Sequence, residues 1–418
     1  MSSFSNAIRA SAHYNEAVPA HKLSFSPEYG ESFFQELPTA AAVFVLRGEG
    51  EPYVSKTANL RRRLQRILGA PKEQTKRLNL RNVVREIEFT RTGSEFESQL
   101  LLYRLLRESF PKTYSARLRL RPAPLVKLHL ENEYPRASVT TRLSSHGSNL
   151  FYGPLPSRAA AEKFASDALD FFKMRRCVDD LHPDPSFPGC VYSEMKMCLA
   201  PCFNGCTDEE YRAEVARAQS FFDTSGESLT RELSEQRDRA SAELAFEEAA
   251  AVHAKLDKLK PVLSQLPEVV QRLDQLDAIV VQPSSDPSAV CLFRFQHAQI
   301  TGPVEFRIER RPEALPADVL GGAAERAVKP QTMESRVEEI IAKFPAIAVA
   351  SAGECTEHLA ILNRWYYRSH RMGEIFFADQ NGSWPLRRMV RGIGRVSKGE
   401  QSQELPSFSA TQPASPPS

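Results

Sequence analysis

An α+β fold spread over several domains is what this sequence predicts, and three observations carry that prediction. The chain has 418 residues, where single domains commonly run to about 100–200. Short apolar runs of strand length, such as Ala42–Leu46 and Ile279–Val281, alternate with stretches whose apolar residues recur at helical spacing. Five of the seven cysteines crowd between Cys177 and Cys206, where Pro188, Gly189, Pro201 and Gly205 bend the chain. Hydrophobic content of 42% and charged content of 25% are those of an ordinary globular chain. A net charge of +2 excludes a polycation. No run approaches the roughly 18 apolar residues of a membrane span. The N-terminus lacks the apolar core of a signal peptide, so a cytoplasmic protein with no membrane partner is expected. In that compartment clustered cysteines point to a metal or to catalysis rather than to disulfides.

Residues 1–36 show no clear periodicity and read as a weakly ordered leader with at most one short helix. Residues 37–120 form a small α/β module. Ala42–Leu46 is a strand, Gly48 and Gly50 supply a turn, and Tyr53-Val54 resumes the strand pattern. Asn59 is a candidate N-cap for a helix whose inner face is Leu60, Leu64, Ile67 and Leu68. This order brings a phenol and two cations, Tyr53, Lys56 and Arg63, towards one junction, as phosphate chemistry requires. Lys56, Arg61, Arg62, Arg63, Arg66, Lys72, Lys76, Arg77, Arg81, Arg85 and Arg91 face few acids in the same span. That excess suits a phosphate backbone, and equally a solvated helix face. A second helix carries Phe96, Leu100, Leu101, Leu105 and Leu106 on one side, and Pro111 ends it.

Residues 121–222 join a linker to the cysteine-rich region. A turn over Phe151–Ser157 leads to a helix over about 158–175. Cys177, Cys190, Cys198 and Cys202 follow at intervals of 13, 8 and 4 residues. Four thiolates in so compact a segment call for a soft metal or an iron–sulfur cluster, and spacing does not separate zinc from iron–sulfur. Thr207 with Glu210 forms a capping box that opens a helix over 207–222. Residues 223–268 read as a helical hairpin, packed on its own domain or presented to a partner helix. Residues 275–312 alternate as a three-stranded meander within a unit over 269–395. Within that unit 334–350 and 355–372 read as helix, strand, helix. The tail, 396–418, is rich in Ser, Pro and Gln and should be disordered.

The string Tyr53-Val54-Ser55-Lys56-Thr57-Ala58-Asn59-Leu60-Arg61-Arg62-Arg63 resembles the GIY-YIG nuclease module of the UvrC family. Tyr53, Val54, Lys56, Asn59, Leu60 and Arg63 match that family's string in order. Thr92–Glu97 resembles the segment with the family's metal-binding glutamate, for which Glu97 is the best match. The resemblance implies that Glu97 holds magnesium or manganese. It implies too that Arg63 stabilises phosphoryl charge, Tyr53 activates water and Lys56 holds a neighbouring phosphate. Several positions depart from the pattern: Phe44 replaces a tyrosine, Ser55 a glycine and Ile67 another tyrosine, and the asparagine near the module's end falls on Tyr114 or Ser115.

The cysteine quartet, with Ala200-Pro201-Cys202 and an acidic helix start, is similar to that of UvrC proteins. This implies a [4Fe-4S] cluster on Cys177, Cys190, Cys198 and Cys202, with zinc the alternative and Cys206 spare. Leu244–Ala250 is similar to the UVR motif that docks onto UvrB, which implies that Leu244 and Phe246 meet a partner. The strands from 275 look like the start of an RNase H-like domain. The fold expected is therefore a GIY-YIG-like module, a cysteine-cluster helical region, a helical hairpin and a partial RNase H-like unit. The function implied is a UvrC-like, Cho-like excinuclease of nucleotide excision repair, cutting damaged double-stranded DNA marked by UvrA and UvrB. The alternative is a catalytically weakened accessory that binds DNA and UvrB.

Overall fold

The computed structural model describes residues 20–70, 78–144, 147–178, 181–264, 266–308, 331–347 and 350–400. It is α+β, with three four-stranded sheets in which every described pairing is antiparallel. The described residues gather into two compact units. One takes its residues from 1–120, 277–348 and 368–402, the other from 121–276 and 349–367.

The chain begins with β1 (His21–Ser24), α1 (Glu31–Glu36), β2 (Ala42–Gly48) and β3 (Tyr53–Thr57). Next come α2 (Leu60–Leu68), β4 (Val84–Arg91), α3 (Glu95–Ser109) and α4 (Tyr114–Leu118). The sheet order is β1-β4-β2-β3. Strand alternation sorts β2 by face. Ala42, Phe44 and Leu46 join the core of α1 and α2 with Phe34, Leu60, Leu64 and Ile67. Val43 and Val45 turn the other way, onto Leu101, Leu102 and Leu105 of α3. Asn59 caps α2 as expected, its side chain accepting from Arg62 N. Part of the expected leader belongs to this module, because β1 pairs with β4 along its whole length. Its four residues carry too little pattern to be seen as a strand. The rest of the leader, 1–19, lies outside the described residues.

The middle of the chain supplies β5 (Leu125–Leu128), β6 (Ala137–Thr140), β7 (Leu150–Gly153), α5 (Arg158–Leu169) and α6 (Val191–Glu194). Then follow α7 (Asp208–Asp223), α8 (Glu227–Ala242), α9 (Phe246–Ser264) and β8 (Gln271–Arg272). The capping box of Thr207 and Glu210 is present at α7. Tyr152 ties sheet to helix by donating to Asp223 Oδ1 at 2.7 Å, and Tyr211 of α7 donates to Pro135 O at 2.7 Å. Helix α5 ends at Leu169, short of the 175 expected, and β8 pairs with β7. Residues 271–272 thus belong to the middle unit rather than to the C-terminal one.

The last stretch holds β9 (Asp277–Pro283), β10 (Ala289–Gln296), β11 (Gln299–Arg307), α10 (Met333–Ala342), α11 (Ala352–Tyr366), β12 (Glu374–Phe377) and α12 (Leu386–Ser397). The meander is as expected, in the order β11-β10-β9-β12. The strand of the helix–strand–helix prediction does not lie in 343–347; β12 comes only after α11. Residues 348–349 and the tail from 401 lie outside the described residues.

The two sheets of the first unit meet across α3. Phe96 sets its ring edge-on to Phe293, with centroids 5.1 Å apart. Arg104 Nη1 donates to Gly302 O at 2.6 Å. Burial holds that guanidinium down at about 10, so it stays charged and needs these carbonyls. A Cβ at Gly93 would stand 2.2 Å from Pro283 O, which only glycine avoids. Module and C-terminal sheet, expected as separate domains, thus form one unit around a shared helix.

Candidate nucleic-acid interface

An open cleft of about 760 Å³ sits where β3 passes into α2. Its lining includes Lys56, Asn59, Arg62, Arg63 and Arg66, with Ile67 and Leu78 as apolar floor. The helical spacing of Arg62, Arg63 and Arg66 puts all three on one side of α2. Arg63 Nη2 donates to Tyr53 Oη at 2.8 Å, while its Nε is buried with no hydrogen-bond partner among the described residues. A buried guanidinium N–H left open is a ready donor for an incoming oxyanion. Other predicted cations are committed elsewhere. Arg61 donates to Leu37 O, Arg81 to Leu68 O and Tyr29 O, and Arg85 to Asn82 O. Lys72, Lys76 and Arg77 lie outside the described residues.

The structure does not gather Glu97 with Tyr53 and Arg63. Helix α2 packs on the Phe44 face of the sheet and α3 on the Val43 face. Tyr53 joins the first core, whereas Lys56, three residues on, points the other way. Lys56 Nζ there donates to Gln99 Oε1 at 2.8 Å and pairs with Glu95. Sequence reading missed both partners, although Glu95 and Gln99 stand four apart on one helical face. Glu97 turns instead towards the C-terminal sheet. Its Oε2 accepts from Gly93 N at 2.8 Å. Burial, with Glu305 nearby, pushes its carboxyl up to about 7 against the pull of the Gly93 and Ser94 N–H groups. Cys291 feels it from β10: burial and then the Glu97 charge push that thiol up to about 12. Phe44 is fully buried, its ring centroid 6.1 Å from that of Tyr53.

In the second unit four of the cysteines lie near enough to feel one another's charge. Burial first, and then Cys177, Cys202 and Cys190, push the Cys198 thiol up to about 11. Cys202 likewise feels Cys190 and Cys177. Cys206 is set apart: besides burial it feels Glu210, Asp208 and, among cysteines, Cys202. Arg175 Nη1 reaches Cys177 Sγ at 3.5 Å, and Ala200 N donates to Cys198 Sγ at 3.3 Å. The Ala200 N–H pulls Cys198 towards the thiolate that a soft metal binds, and burial outweighs it. Among the described residues, no three of these side chains close on a point as the ligands of a single ion would.

Comparison with known proteins bears on this region directly. The family model described as "UvrC/Cho excinuclease, middle domain" matches residues 124–221, from β5 to α7, with the cysteine quartet inside. UvrABC system protein C of Alcanivorax borkumensis is 27% identical over 342 residues, covering 79% of this chain and 55% of the relative. This is a UvrC-family chain. UvrABC system protein C of Stenotrophomonas maltophilia is 26% identical over 372 residues, 85% of this chain and 58% of the relative. That of Legionella pneumophila is 30% identical over 253 residues, 60% of this chain and 40% of the relative. The chain therefore spans about half the length of the UvrC relatives it matches. No solved structure matches.

The α8–α9 hairpin presents its tip to solvent. Leu244 is 71% exposed and Phe246 66% exposed. The inner face is elsewhere, in Leu229 and Leu233 of α8 and Val252, Leu256 and Leu259 of α9. Both predicted partner residues thus stand outside the core of this UvrC-family chain. No described helix is long and apolar enough to cross a membrane.

Proposed function

We propose that this chain is a UvrC-like DNA-binding protein of excision repair, engaging damaged duplex at sites marked by UvrA and UvrB. The observation that carries the reading is the lining of the β3–α2 cleft: Arg62, Arg63 and Arg66, with no carboxylate among the described lining residues. Three cations in one open cleft match a phosphodiester backbone. The hairpin tip, with Leu244 and Phe246 exposed, supplies the UvrB contact. Cys177, Cys190, Cys198 and Cys202 hold a [4Fe-4S] cluster, for which four soft donors fit. Bound there, the cluster supplies a structural cross-link of the loop.

A second reading, a metal-dependent excinuclease of the Cho type, is favoured by the bond between Tyr53 and Arg63. The residues present do not fit a divalent metal beside that pair, because Glu97 is turned to the other sheet. No metal-dependent step is therefore derived. One experiment separates the readings. Purified protein is incubated with UvrA, UvrB, a lesion-bearing duplex and magnesium, and both binding and cutting are measured. The DNA-binding reading expects lesion-dependent binding that the charge-reversing pair Arg62→Glu with Arg66→Glu removes, and no incision. Incision lost in Glu97→Gln would establish the nuclease reading instead. Failure to bind DNA at all would sink both.

A further inference from the structure

The second unit contains a cleft of about 830 Å³ to which no role has yet been given, bounded by α5, α7, α8, α9 and the loop after α6. Its floor is apolar. Phe172, Leu229 and Leu233 are buried beneath it, and Met195 at its lip is 62% exposed. Its rim is charged, and the charges do not cancel. Every acid in the lining already has a cation: Asp167 pairs with Lys163, Asp170 with Arg176, and Glu232 with Arg217. Lys173, Lys196, Lys255 and Lys258 remain, each exposed and without an ion-pair partner among the described residues. Four uncompensated lysines around an apolar floor suit a ligand that is polyanionic and carries a flat or apolar part.

We propose that this cleft takes a single-stranded nucleic-acid segment, with phosphates on the four lysines and an unstacked base against Met195 and Phe171. The assignment rests on nucleic acid being this protein's partner, as argued for the β3–α2 cleft, and adds a second, separately testable contact. An acidic amphipathic helix would also satisfy lysines and methionines. The size of the cleft favours the nucleotide: its volume lies within the roughly 300–1,000 Å³ of small-ligand sites, whereas a docked helix lies in an extended groove. Lysine, a compact point charge, suits phosphate without dictating base identity. A thioether and a phenyl ring accept any base face, so the site is expected to tolerate sequence. Beneath them the Arg217 guanidinium lies 5.0 Å from the Phe172 ring centroid and is held by Glu232, which keeps the floor rigid.

The test uses the full chain and a short fluorescent oligothymidylate, read by anisotropy across a salt series. Wild type should bind. The double variant Lys255→Glu with Lys258→Glu should weaken binding at least about tenfold and flatten the slope of log K against log salt by roughly 0.7 for each lost contact. Both lysines are exposed, so an unchanged melting curve confirms that the fold survives. Met195→Ala should weaken binding several-fold with the salt slope unchanged, because it removes stacking surface and no charge. Wild-type affinity in the lysine double variant would overturn the proposal. So would an oligonucleotide that fails to bind while an acidic amphipathic peptide binds through the same lysines, which would assign the cleft to a protein partner. Duplex binding through Arg62 and Arg66 is measured separately, so that failure of either contact leaves the other result standing.

Discussion

At Glu97 a carboxyl sits against Gly93 N, within the field of Glu305, with a titration point raised from the ordinary 4.5 to about 7. Between those two values the folded chain keeps a proton that the unfolded chain has released. Folding therefore gains from this group fully below pH 4.5, and the gain is lost as pH rises through about 7. At about 1.36 kcal/mol per unit the full swing is of the order of 3 kcal/mol. Glu97→Gln keeps the acceptor for Gly93 and removes the titration, so its stability should be flatter over that window and should exceed wild type at pH 8. Urea unfolding at several pH values checks this; parallel pH curves for the two proteins would show that Glu97 is not withdrawn from water. The same residue marks where the sequence could be read and where it could not. Tyr53 and Arg63 were legible as neighbours, because a short strand runs straight into a capped helix. The sequence reading wrongly brought Lys56 to the same junction, although residues three apart on a strand face opposite sides. That Glu97 faces another sheet was not legible, because the chain supplying that sheet begins some 180 residues later.

Among the elements, α3 bears the most, being covered by the module's sheet on one side and by the C-terminal sheet on the other. Its burial was only half legible. The stripe Leu101, Leu105 declared one face, while Phe96 and Arg104 gave no sign of a second sheet. Phe96→Ala removes the ring that meets Phe293 and should cost about 3–5 kcal/mol, read as a drop in the unfolding midpoint. The α8–α9 hairpin shows the reverse behaviour. Its apolar periodicity was visible in the sequence, but whether Leu244 and Phe246 packed inwards was not, since both readings use the same pattern. With Phe246 66% exposed, Phe246→Ala should leave the melting temperature within about 1 °C, as surface changes cost under about 0.5 kcal/mol. It should also weaken capture of UvrB several-fold in a pull-down. A large loss of stability would instead make Phe246 a packing residue.

On the scale of the whole molecule the net charge is only +2, so no global attraction draws the chain to DNA. Binding has to come from local surplus, and the two units supply it differently. In the first, ion pairs and carbonyl contacts consume Lys56, Arg61, Arg81 and Arg85, which leaves Arg62, Arg63 and Arg66 at the cleft. The sequence showed the surplus but not which cations were already spent, because that depends on which carbonyls the fold leaves nearby. In the second unit the cysteine loop forms the lip that carries Met195 and Lys196. If the quartet holds its cluster, Cys198→Ser should give colourless protein and should also loosen that lip, since metal binding and local folding are coupled. Duplex affinity should then survive while oligothymidylate affinity falls. Replacing Arg62 and Arg66 by alanine should do the opposite. Each lost phosphate contact lowers the duplex salt slope by about 0.9, so the pair should flatten it by about twice that. Oligothymidylate binding should be unchanged. A duplex slope identical to wild type in that variant would mean that the backbone is held elsewhere, and the β3–α2 cleft would lose its assignment.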